Sequence, residues 1–82
     1  MISERIKAVM AAVFEVPVTS ININSSNKTI ENWISITQLN LIVALEEEFE
    51  ITLPDEEIPY MLNFSHIEQV VNSLVVTDEG HR

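Results

Sequence analysis

Apolar residues recur at helical spacing in three separate stretches of the chain, and two of these are bounded by prolines. Ile6, Val9, Met10, Val13 and Phe14 fall at i, i+3, i+4, i+7 and i+8 behind Ser3, a good N-cap, which predicts a first helix of about three turns. Pro17 predicts that it stops by Glu15, because the residue before a proline is pushed out of the helical region. A second helix is predicted from Ser35 to Glu50, where Ile36, Leu39 and Val43, and then Ile42, Leu45 and Phe49, recur at three- and four-residue spacing without a Gly or Pro. Ile51-Thr52-Leu53-Pro54 ends it. Ser65 and Glu68 form a capping-box pattern ahead of Ile67, Val70, Val71 and Leu74, the predicted closing helix.

The connections are less regular. From Val16 to Asn32 the chain is rich in Ser and Asn, and Val16, Val18, Ile21 and Ile23 alternate with polar neighbours. A strand is the competing assignment, but a lone strand leaves its backbone groups unpaired. A long loop pinned to the core by those four apolar residues is therefore expected. Asp55, Glu56 and Glu57 suit the first turn of another helix, which Pro59 keeps brief or irregular. The expected organisation is all-α, with one domain over residues 1–75 and a flexible polar tail over 76–82.

Charge and composition narrow the function. Four basic residues against 13 acidic ones leave a formal net charge of -9 on 82 residues, which argues against nucleic acid or anionic membrane as partner and toward basic docking surfaces. The absence of Cys removes disulfides, zinc thiolates and a cysteine nucleophile together. No apolar run reaches the ~20 residues of a membrane span, and the N-terminus lacks a secretory apolar region, so a cytoplasmic monomer is expected. Two histidines, His66 and His81, are too few and too scattered for a metal site, and His66 is expected on the surface of the last helix. A single glycine rules out a phosphate-cradling loop, and no serine sits in a Gly-x-Ser-x-Gly elbow. Glu46 to Glu57 lack the pattern of a calcium loop, leaving only loose binding of divalent cations. Phe14, Trp33, Phe49, Tyr60 and Phe64 read as core or capping contacts. An active site of the chain's own is not expected. Ser35 stands apart, because the mouth of the second helix offers unfilled N–H groups and a positive dipole end to a phosphoryl group; an ordinary N-cap serine is the other reading.

The segment Ala44-Leu45-Glu46-Glu47-Glu48-Phe49-Glu50-Ile51-Thr52-Leu53-Pro54-Asp55-Glu56-Glu57 closely resembles the second helix and following loop of bacterial acyl carrier proteins. Counted back from it, Ser35 stands where that family carries phosphopantetheine, and Trp33 fits the Trp-Asp-Ser-Leu variant of the attachment motif. Ile2-Ser3-Glu4-Arg5-Ile6 is similar to the family's opening, and the resemblance extends without gaps to about Ser73. It implies a four-helix bundle with a long first loop, a covalent phosphopantetheine from coenzyme A on Ser35, and acyl groups carried as thioesters. The arm's thiol would account for a chain without cysteine. By the same resemblance Ile6, Leu45, Leu53, Ile58 and Met61 match positions lining an acyl pocket.

The departures from the family are informative. Asp-Ser-Leu reads Ile34-Ser35-Ile36 here, and Thr37 and Asn40 replace further acidic residues. Ile34 cannot cap a helix, so Asn32 or Ser35 is expected to do so, with a frayed or displaced start. The expected docking surface is neutral and apolar above, at Ile34, Ile36, Leu39, Val43 and Trp33, and acidic below, at Glu46, Glu47, Asp55 and Glu56. Its expected partners are a phosphopantetheinyl transferase and acyl-loading and acyl-using enzymes of a specialised lipid or secondary-metabolite pathway. The alternatives are an unmodified acidic interaction module with the carrier fold and a carrier of aminoacyl groups.

Overall fold

The computed structural model describes residues 2–79, and side chains are considered over residues 2–75. Three α-helices carry the fold: α1, Ile2–Phe14; α2, Ser35–Phe49; and α3, Phe64–Glu79. Single 3-10 turns lie at Val18–Ser20 and Ile58–Tyr60. The expected short helix after Pro54 is thus one 3-10 turn, and three α-helices rather than four are present among the described residues. Pro59 sits inside that turn, where its missing N–H and fixed φ favour a tight turn over helix propagation. α3 runs through Glu79, past Val75 where the sequence reading closed the domain; no Gly or Pro interrupts that stretch. Of the expected tail, residues 80–82 lie outside the described residues.

α1 and α2 are antiparallel, since Arg5 at the start of α1 meets Glu48 at the end of α2 while Phe14 meets Trp33 at the opposite end. The Arg5 guanidinium pairs with the Glu48 carboxylate at 2.9 Å, donates to the Glu48 carbonyl at 2.8 Å, and lies 4.5 Å from the centre of the Phe49 ring. A cation at this point offsets the unfavourable crowding of glutamates at the negative end of α2.

Both helices end on a glutamate in the left-handed region, Glu15 at φ 58 and Glu50 at φ 55. The following N–H groups close back onto the helix, Val16 to the Ala11 carbonyl at 3.1 Å and Ile51 to the Glu46 carbonyl at 3.2 Å. This is the usual helix-terminating loop with glutamate where glycine is preferred, and Val16 and Ile51 follow by packing on the core.

Ile6, Met10 and Phe14 of α1, Leu41, Ile42, Leu45 and Phe49 of α2, and Phe64, Ile67 and Val71 of α3 form the core. The connections add Ile21, Ile30, Trp33, Leu53 and Met61. The long loop is pinned by Ile21 and Ile30, with Val16 partly buried, whereas Val18 and Ile23 are exposed, so two of the four expected anchors are not used. In place of a strand, the loop has one antiparallel bridge, Ser26 with Asn63. Asn27 N–H donates to the Leu62 carbonyl at 3.0 Å and Phe64 N–H to the Ser25 carbonyl at 2.9 Å. Local side chains satisfy more of the loop backbone: Ser25 Oγ accepts from Asn22 N–H at 2.9 Å and Asn22 Oδ1 from Asn24 N–H at 2.8 Å.

Candidate functional site at the start of α2

Ser35 is the first residue of α2 and its side chain is exposed. The backbone before it is extended at Ile34, with φ -122 and ψ -177, so Ile34 occupies the N-cap position without a side chain able to cap. Neither expected substitute takes over. Asn32 directs its side-chain amide to the Phe14 carbonyl at 3.2 Å, and helix formation still begins at Ser35. Thr37 organises the start instead: its hydroxyl accepts the Ile34 N–H at 2.8 Å and donates to the Asn32 carbonyl. This is the return half of a capping box, made by a threonine at the position where Glu or Gln is usual. The three-residue spacing from Ile34 to Thr37 is the sequence signal of this arrangement.

Trp33 does not contribute to the exposed surface as expected. It is 4% exposed and packs on Phe14 with ring centroids 4.7 Å apart and planes tilted by 31°. Its indole N–H donates to Gln38 Oε1 at 2.6 Å, and Gln38 Nε2 donates to the carbonyls of Ile58 and Met61 at 3.2 and 3.1 Å. A buried indole is stable only with its N–H satisfied, and Gln38 provides this while binding α2 to the 3-10 turn. Beside Ser35 lies a surface groove of about 290 Å³, lined by Asn27, Trp33, Ile34, Ser35, Gln38 and Leu62.

On the outer face of α2, Ile36, Leu39 and Val43 are 68, 64 and 54% exposed, next to Ile34 at 55%. They form an apolar stripe leading away from Ser35. Of the acidic residues expected below it, Glu47, Asp55 and Glu56 are exposed. Glu46 is half-buried and accepts the Leu53 N–H at 2.9 Å, so its carboxylate holds the loop after α2 against the helix. Ile6, Leu45, Leu53 and Met61 are buried in the common core and Ile58 is half-buried against it, which brings these five side chains into one cluster.

His66 is half-buried and its Nε2 lies 3.0 Å from Glu57 Oε1, tying α3 to the turn before it. His81 lies outside the described residues. Among the described residues no three His, Cys, Asp or Glu side chains gather as metal ligands, and no helix is long and apolar enough to cross a membrane.

No protein-family model matches the chain. Among solved structures, it is similar to the solution NMR structure of a holo acyl carrier protein from Geobacter metallireducens, with a TM-score of 0.86. The match covers 98% of this chain and 92% of that one at 21% identity. The fold is therefore the acyl carrier protein fold, an all-helical arrangement.

Proposed function

We propose that this protein is an acyl carrier protein that holds acyl groups as thioesters on a phosphopantetheine arm attached to Ser35. The observation that carries the reading is the placement of an exposed serine as the first residue of α2, within a fold similar over its whole length to a holo acyl carrier protein. The residues at this point suit the group. The 15-residue helix directs its positive end at Ser35, its first turn has no acidic residue to oppose a phosphodiester, and the adjoining groove gives the arm a surface to lie on. The arm supplies the thiol that the chain lacks. The chain supplies an anchoring hydroxyl and a docking face, and contributes no catalytic group.

Ile34, Ile36, Leu39 and Val43 are the contacts for partner enzymes, with Glu47, Asp55 and Glu56 as outlying anionic contacts. Glu46 serves the fold first. The neutral upper face fits enzymes with apolar docking surfaces, as in a specialised lipid or secondary-metabolite pathway of the cytoplasm, and the phosphopantetheinyl transferase must accept the same face. Ile34 at the N-cap favours a second reading, an unmodified interaction module that keeps the carrier fold. Intact mass and thiol content after incubation with coenzyme A and a broad phosphopantetheinyl transferase separate the two. A gain of one phosphopantetheine that Ser35→Ala lacks supports the carrier, and no gain with several transferases supports the module.

A further inference from the structure

Gln38 joins α2 to the turn at 58–61 through hydrogen bonds. Its amide oxygen takes the Trp33 indole N–H, and its amide nitrogen donates to the carbonyls of Ile58 and Met61. On one side of this amide is the groove beside Ser35, in which both Gln38 and Trp33 are lining residues. On the other side are Ile58 and Met61, whose carbonyls it holds and which pack in the core cluster with Leu45, Leu53 and Ile6. We propose that Gln38 is a gate between the two, and that it restricts the cargo on Ser35 to short or polar acyl groups, aminoacyl groups included, which stay in the groove. The proposal rests on the reading of Ser35 as the attachment site.

The chemistry of the gate is one-sided. An alkyl chain passing between α2 and the turn would separate Gln38 from two carbonyls and from a buried indole N–H, and it has no donor or acceptor to replace them. The Ile58 and Met61 carbonyls would lose their Gln38 donor at the edge of an apolar core. The groove itself is better matched to a polar guest. Asn27 brings a side-chain amide to its lining, while Leu62 brings an apolar surface, so an amide-containing arm with a small acyl or aminoacyl end finds both kinds of partner without disturbing Gln38.

The test begins with mass spectrometry to verify loading of a hexanoyl-phosphopantetheine on Ser35, followed by NMR of the loaded protein. In the wild-type chain, signals of Asn27, Leu62 and the Trp33 indole N–H are expected to shift, and the methyl signals of Leu45, Leu53 and Met61 to stay in place. In Gln38→Met, which keeps the side-chain length and removes every hydrogen bond, the core methyl signals are expected to shift on hexanoyl loading and the Trp33 indole proton to exchange faster with solvent. Gln38→Glu, which keeps an acceptor for Trp33 and loses both donors, gives the same core shifts should Gln38→Met fail to fold. Core shifts of equal size in the wild type and the variants, or none in any of them, would overturn the gate while leaving the carrier intact. Failure of loading would overturn the reading of Ser35 and the gate with it.

Discussion

Replacing Ile34 by aspartate tests the start of α2 as both a structural and a functional element. The backbone at Ile34 already has the extended geometry of an N-cap, and Thr37 already returns its hydroxyl to the Ile34 N–H. A carboxylate at this position would accept the N–H of Thr37 and complete the reciprocal pair. The proper reference is Ile34→Ala, because both substitutions lose the same apolar contact. Ile34 is 55% exposed, so that shared loss is less than half of the roughly 2–3 kcal/mol for fully burying such a side chain. The capping bond should then separate the variants by about 1 kcal/mol, and attraction to the helix dipole adds ~0.3–1 kcal/mol. For a domain of this size each kcal/mol corresponds to roughly 4–8 °C in melting temperature, a difference that thermal circular dichroism resolves easily. The difference should also depend on pH with a definite sign. The introduced carboxylate is stabilised in its ionised form by the N–H groups, which lowers its folded-state pKa; its contribution is present above the unfolded value of about 3.9 and is lost as the pH falls below it. Equal melting temperatures for Ile34→Asp and Ile34→Ala near neutral pH would refute the assignment of Ile34 as the uncapped N-cap. Separately, Ile34→Asp should be used faster by housekeeping carrier enzymes whose docking sites are basic, and unchanged rates would refute the account of the neutral upper face.

The other predictions concern the end of α2 and its two faces. Glu50→Gly should stabilise the protein by about 1 kcal/mol by relieving a left-handed residue with a side chain, while Glu47→Gly, inside the helix, should destabilise it by a similar ~1 kcal/mol; urea unfolding of the pair measures both signs. Leu39→Ala should leave stability within ~0.5 kcal/mol yet lower kcat/KM with a phosphopantetheinyl transferase by about tenfold, the loss expected for truncating an apolar contact in a docking site. Leu41→Ala, two residues away and fully buried, should instead cost about 2–5 kcal/mol of stability.

Much of the candidate site was legible because it depends on local rules. The breaker-free run from Ser35 to Phe49 and its apolar spacing suffice to predict α2 and to put Ser35 at its mouth. Gln38 and Thr37 were not identified, although both are in that run. Thr37 bonds to Ile34 only three residues away, but threonine is not usual at that return position, and the Gln38 partners lie five to 23 residues away along the chain, a separation at which no periodicity exists. The long loop shows the same division. Its polar composition marks it as a loop, but the choice of Ile21 and Ile30 over Val18 and Ile23 as anchors is made in the folded chain, where the loop pairs with Leu62 and Phe64.

The sequence by itself determined that the chain is helical, acidic and without thiols, and that one serine opens its most regular helix, because propensity, charge and proline positions act over a few residues. Only the tertiary structure decided which of the two apolar stripes on α2 is core. Ile36, Leu39 and Val43 have the same helical spacing as residues that are buried, yet α1 packs on the other stripe, and Leu41, Ile42, Leu45 and Phe49 join the core. Spacing establishes that a face is apolar, whereas its burial depends on which other helices reach it. The stripe beside Ser35 is thereby left exposed, which is why the proposed docking face lies there.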